Sequence, residues 1–210
     1  MIWDRSHKKG EVHMNLNAIK SCCLRTRKFN VINAEDGSQW LSNGQAAWIV
    51  EGVHITTGCL PELLNLSENQ KEKCVFIGEE TTDARYHRDG TLTTATYCED
   101  IGAIWYNGWL YRAIQYRERV MFLLAANLRP TENGLADAGY NRYEARIMDG
   151  DVKIAVYNGM FVEAILDPMP DAVARAIKEQ ATIISARELY TVGACHAEVA
   201  ADELDEQMTI

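Results

Sequence analysis

Apolar and polar positions along this chain alternate in short bursts, and Asp-Gly and Asn-Gly pairs separate the bursts. Phe29–Asn33, Gln39–Ser42 and Ala46–Val50 are split by Asp36-Gly37 and Asn43-Gly44. Both dipeptides tolerate the positive φ angles of a tight turn, so the segment predicts a three-stranded meander. The same order returns at Tyr143–Met148, Val152–Tyr157 and Phe161–Leu166, split by Asp149-Gly150 and Asn158-Gly159. A proline and a helix follow each set. Pro61 suits the first turn of a helix over Leu60–Leu66, and Pro168-Met169-Pro170-Asp171 opens a longer one carrying Val173, Ile177, Ala181, Ile184 and Leu189. The Asp-to-Asn spacing is 7 residues in the first unit and 9 in the second, which marks a degenerate internal repeat.

Between the two units the pattern predicts a further hairpin, Ala103–Tyr106 and Trp109–Ile114 around Asn107-Gly108, preceded by strands at Cys74–Ile77 and Leu92–Tyr97. Ser67–Lys73 is polar and either prolongs the Leu60 helix or turns. Asp83–Asp89 reads as an exposed loop, and Asn127–Asn141 as a polar connection with a short helix before it. At the front, Asn15 caps a helix over Leu16–Arg25, with Leu16, Ile19 and Cys23 on one face. The predicted fold class is therefore α+β, with antiparallel sheets built from repeated meander-plus-helix units and helices near both ends. The expected divisions are an extension over 1–13, a first αβββα unit over 14–80, a central hairpin region over 81–122, a second βββα unit over 123–193 and an acidic tail over 194–210. All of these also fit within one compact domain.

Residues 1–13 have neither helical periodicity nor a cap, whereas Met14-Asn15-Leu16-Asn17 starts a helix cleanly. Lys8-Lys9-Gly10-Glu11 back-translates to a purine-rich run placed where a bacterial ribosome-binding site would lie. Translation starting at Met14 is the expectation, and mass spectrometry of the protein expressed from its native upstream DNA tests it.

Composition changes this picture little. The 210 residues are 47% hydrophobic and 24% charged, ordinary values for a globular protein. The longest apolar runs, Val120–Ala126 and Met160–Leu166, fall far short of the roughly 20 residues that span a bilayer, and no signal sequence opens the chain. A soluble protein of the bacterial cytoplasm with no membrane partner is expected. Cys22, Cys23, Cys59, Cys74, Cys98 and Cys195 form no C-x-x-C pair and read as reduced thiols. Net charge is −9, and the stretch from Glu188 onward, with six acids and no Lys or Arg, accounts for six of those nine charges. That concentration favours a solvated tail over a surface that mimics nucleic acid.

No Walker loop, dinucleotide fingerprint, nucleophile elbow, H-E-x-x-H pair or calcium loop is present. No cofactor, metal site or catalytic residue is assigned. Asp83, His87 and Asp89 are conceivable loop ligands, Glu79, Glu80, Asp83 and His87 a conceivable dispersed enzyme site, and Cys195-His196 a nucleophile and base. Solvated loops explain the first two, and adjacent helical residues point about 100° apart, which disfavours the third. The nearest thing to a binding pattern is Trp105, Trp109, Tyr111, Arg112, Arg117 and Arg119, interleaved with Tyr106 and Tyr116. Aromatic and arginine side chains anchor protein partners and stack on bases, although cross-strand packing explains the aromatics equally well. Lys20, Arg25, Arg27 and Lys28 form the one basic segment, a candidate for phosphate contact whose plainer explanation is the negative end of its own helix.

Met14-Asn-x-x-Ala-Ile-Lys followed by Cys22, Gln39-Trp40-Leu41-Ser42-Asn43-Gly44, and Ile154-Ala155-Val156-x-x-Gly159-Met160-Phe161-Val162-x-Ala164-Ile165 together resemble uncharacterised proteins of phages and prophages of Gram-positive gut bacteria. The resemblance covers Met14 to about Pro168 and carries no catalytic motif. It implies a phage setting in replication, takeover or counter-defence. Three expectations follow: an accessory protein that binds a macromolecular partner, for instance to inhibit a host defence nuclease in the manner of an anti-CRISPR protein; a sliding-clamp-like DNA-associated protein; or a small enzyme with a dispersed site. The clamp reading needs basic helices in both units, and Leu123–Asn133 offers Arg129 alone. Oligomeric state is left open.

Overall fold

The computed structural model describes residues 15–88, 95–131, 142–158 and 161–180. Within them lie helix α1 (Leu16–Thr26), strands β1 (Lys28–Ala34), β2 (Gln39–Ser42) and β3 (Ala46–Val50), short helices α2 (Leu60–Leu63) and α3 (Glu68–Lys73), and strand β4 (Val75–Thr81). After these come β5 (Ala95–Tyr106), β6 (Trp109–Tyr116), β7 (Arg119–Leu124), β8 (Arg142–Met148), β9 (Asp151–Asn158), β10 (Phe161–Leu166) and helix α4 (Asp171–Gln180). The protein is α+β: ten strands form one sheet in the order β4-β1-β2-β3-β10-β9-β8-β5-β6-β7.

The two meanders form as their turn chemistry dictates. Gly37 and Gly44 take φ of +79° and +86°, and Asp149-Gly150 takes +52° and +81°, the left-handed pair of a two-residue hairpin. Asn43 does more than turn: its side-chain oxygen accepts from the Gln45 and Ala46 amides at 2.9 Å each. The meanders meet through their third strands, β3 running antiparallel to β10 with Ala164 opposite Trp48 and Leu166 opposite Ala46. The strand order across them is thus palindromic, β1-β2-β3 against β10-β9-β8.

Each flank departs from the predicted pattern in an instructive way. The helix expected over Leu60–Leu66 stops at Leu63, because Asn65 turns left-handed (φ +48°) and Ser67 opens α3 with a capping box closed by Gln70. That crossover returns the chain parallel to β1, so the strand expected at Cys74–Ile77 extends to Thr81 as an edge strand. The strands expected at Leu92–Tyr97 and Ala103–Tyr106 are one, β5, whose first half pairs with β8 and whose second half pairs with β6, with a bulge between Asp100 and Gly102. Strand β7 crosses the expected boundary at residue 122. Its turn, Arg117-Glu118, holds Arg117 at φ +53° without an Asn or Gly. Residues 125–131 form two 3-10 turns rather than an open connection. The extension at 1–13, residues 89–94, most of the polar connection, Ala181, Ile184, Leu189, Cys195-His196 and the acidic tail lie outside the described residues.

One face of the sheet buries Phe29, Val31, Leu41, Trp48, Ile154, Val156, Ala164 and Leu166 against Ile19, Cys22 and Cys23 of α1. Ile114, Tyr116 and Leu123 of β6 and β7 share that core, so the sheet curls back over α1. The opposite face buries Ile32, Trp40, Ile49, Tyr157 and Ile165 with Tyr86 packed on them. A third cluster sets Ile104, Tyr111 and Phe122 against Ile177 of α4. Burial of this apolar surface supplies the main folding drive. Among the described residues no helix is long and apolar enough to cross a membrane.

Candidate partner-binding site

The β5–β6 hairpin carries four of the six side chains singled out above, and its geometry sorts them into two groups. At the tip, Asn107 (φ +49°) and Gly108 (φ +79°) make a tight two-residue turn. Trp105 and Trp109 flank it and stand 55% and 45% exposed, values far from those of buried tryptophans such as Trp40 and Trp48. Nearer the base, Tyr111 is buried against Ile104, Phe122 and Ile177. Arg112 is likewise enclosed, donating from Nε to Asp100 Oδ2 at 3.0 Å and pairing with the same carboxylate through Nη2.

The remaining members scatter. The Arg117 guanidinium lies 5.1 Å from the Tyr116 ring centre. Arg119 is exposed and 3.7 Å from Asp171 of α4, a pair of little energetic weight. Tyr111 and Arg112 therefore serve the framework, and Trp105 and Trp109 present surface.

The basic segment does not form a phosphate-facing row. Lys20 Nζ donates to the Asn65 carbonyl at 3.0 Å. Arg25 donates to Asn127 Oδ1, and its guanidinium lies 5.7 Å from the Trp109 ring centre. Arg27 closes α1 in the left-handed region (φ +55°), and Lys28 lies over Gly44 on the opposite face of the sheet. Only Arg25 meets the hairpin tip, so the two sequence signals converge at one residue.

Two further clusters had no signal in the sequence. Asn127 joins three elements: its side-chain oxygen accepts from Arg25 and, at 3.3 Å, from Asn43 Nδ2, and its carbonyl accepts from Trp48 Nε1 at 3.0 Å. An asparagine inside an apolar run gives no hint of that role. On the outer face Arg146 is fully buried, donating to the carbonyls of Arg85 and His87 and, at 3.3 Å, to the Tyr157 hydroxyl. Arg85 is held in turn by Asp83 at 2.8 Å and Asp151 at 2.6 Å.

The loop residues considered as ligands or catalysts are accordingly dispersed. Burial pushes the Asp83 carboxyl up, but hydrogen bonds and charge from Arg85 outweigh it and leave Asp83 below the ordinary carboxylate range. Glu80 accepts from Asn33 Nδ2 at 2.8 Å, and His87 is buried with neither ring nitrogen hydrogen-bonded. Among the described residues no group of three or more His, Cys, Asp or Glu is placed to hold a metal ion. The described cysteines are free thiols. Burial pushes Cys98 up to about 11 and raises Cys22 and Cys23, whereas hydrogen bonds from Thr56 lower exposed Cys59.

No protein-family model, curated protein or solved structure matches this chain.

Proposed function

We propose that this chain is a non-enzymatic accessory protein of phage origin that acts by binding a protein partner through the tip of the β5–β6 hairpin. The observation that carries the reading is the pair of exposed tryptophans, Trp105 and Trp109, one on each face of the hairpin next to its two-residue turn, with Arg25 over Trp109. Tryptophan and arginine are enriched among the residues that dominate protein interfaces, tryptophan because it buries large area at small entropic cost and arginine through its planar fork of donors. The phage setting extends the reading to counter-defence, with a host nuclease as the partner that is inhibited. A nucleic-acid partner is less favoured, since Lys20, Arg25 and Arg112 already hold protein acceptors and the chain is acidic overall. The clamp-like reading weakens for the same reason.

The test is affinity capture from a Gram-positive bacterial lysate with the chain and with Trp105→Ala/Trp109→Ala, read by mass spectrometry. The expected result is one set of proteins enriched at least about tenfold by the parent and lost with the double variant. Capture of nothing, or equal capture by both, overturns the reading.

A further inference from the structure

On the sheet face opposite α1 lies a polar cavity of about 180 Å³ that plays no part in the hairpin tip. Its floor is one cross-strand row, Asn30 opposite Ser42, Ser42 opposite Ala47, and Ala47 opposite Ile165. Glu79, opposite Ile32, and Tyr86, set edge-on to Trp40 at 6.2 Å, line its walls. Lys28 and Asp167 line it too, and Lys28 lies over Gly44 so closely that a Cβ there would sit 3.2 Å from its Cδ.

The charges in this cavity are not all answered. Asp167 is paired with Lys153, whose ammonium lies 5.5 Å from the Tyr86 ring centre. Lys28 and Glu79 have no opposite charge within ion-pair distance among the described residues. Asn30 is only 6% exposed, and its side-chain oxygen has no hydrogen-bond partner. Buried amides are nearly always paired, so an unpaired one lining a polar cavity is open to a donor that enters the cavity.

We infer that the cavity binds a small zwitterion, an amino acid whose carboxylate pairs with the Lys28 ammonium and whose ammonium donates to Asn30 and faces the Glu79 carboxylate. A simple anion would meet Glu79 and Asp167, and a simple cation would meet Lys28. An apolar ligand would cover Lys28 and Asn30 without pairing either. The volume accommodates at least about six waters at about 30 Å³ each, enough for a compact amino acid.

The test uses the full chain with glycine, L-serine and γ-aminobutyrate as probes and with acetate and methylammonium as half-molecules, read by thermal shift and titration calorimetry. The expected result is saturable binding of at least one amino acid, with both half-molecules weaker by at least about tenfold. Lys28→Met, which keeps the stem over Gly44, is expected to weaken that binding by about tenfold or more. Glu79→Gln at the exposed rim supplies a second variant should Lys28→Met fail to fold. No saturable binding by any amino acid up to about 50 mM, or parental affinity in the folded variants, overturns the inference. Neither result bears on the hairpin tip, whose test reads a different surface.

Discussion

The base and the tip of the β5–β6 hairpin contain the same kinds of residue put to opposite uses. At the base, Tyr111 packs between the sheet and α4, and Arg112 faces the carboxylate of Asp100, beside the bulge in the pairing. At the tip, Trp105 and Trp109 have no covering element, and an arginine from α1 meets one ring from the side. The difference lies in what lies across from each side chain, a property of topology and not of composition. An aromatic–arginine run in a sequence therefore announces a surface only where the fold leaves it uncovered.

The sharpest way to break this comparison is to truncate at the base. Tyr111→Ala opens a cavity in the cluster with Ile104, Phe122 and Ile177 and is expected to cost about 3 kcal/mol, with a fall in Tm of about 10 °C by calorimetry. A smaller loss would show that α4 collapses onto the gap. Arg112→Met comes next. It leaves Asp100, whose side chain is 16% exposed, without its cation, at an expected cost of about 2 kcal/mol by urea unfolding. If either substitution leaves stability untouched, the assignment of the base to the framework fails.

A third prediction extends the comparison to Arg85 on the outer face, which is walled in by carboxylates as Arg112 is. Asp83 sits below the ordinary carboxylate value of 3.8, where Arg85 outweighs the opposing effect of burial. A carboxyl depressed in the folded state stabilises the fold above that value and loses its contribution as pH falls through the lower one. Asp83→Asn is expected to cost about 1 kcal/mol at neutral pH and to flatten the loss of stability below pH 3.8. Denaturant midpoints measured across that range check it. An unchanged acid limb would assign the acid sensitivity to other carboxyls, among which Asp36, also depressed, is the next to test.

Much of the fold was legible because its signals are local. Asp-Gly and Asn-Gly encode turns through backbone freedom, and Asn15 encodes a helix start through its own side chain. What stayed hidden depends on partners distant in sequence. The parallel return of β4, the fusion of two expected strands into β5 and the Arg117 turn into β7 have no local marker that separates them from their alternatives. At the candidate site the sequence marked the hairpin but not which half of it is exposed. The meeting of Arg25 with Trp109 joins residues from helix and hairpin that only the curl of the sheet brings together.

The smallest expected effect is the one that sharpens the comparison most. Trp105 stands free of a covering element, and Trp109 is contacted by Arg25. An exposed cation–π contact is worth about 0.5 kcal/mol, so with the two rings buried to a similar extent Trp109→Ala is expected to lose about that much more than Trp105→Ala. Arg25 keeps its hydrogen bond to Asn127 in either variant, which limits any spread of the change into α1. The double variant removes only the buried half of each ring and is expected to cost about 2 kcal/mol in all, less than Tyr111→Ala alone, by urea unfolding. A loss of several kcal/mol in the double variant would instead show that the tip is a covered part of the framework and that the base and tip do not differ.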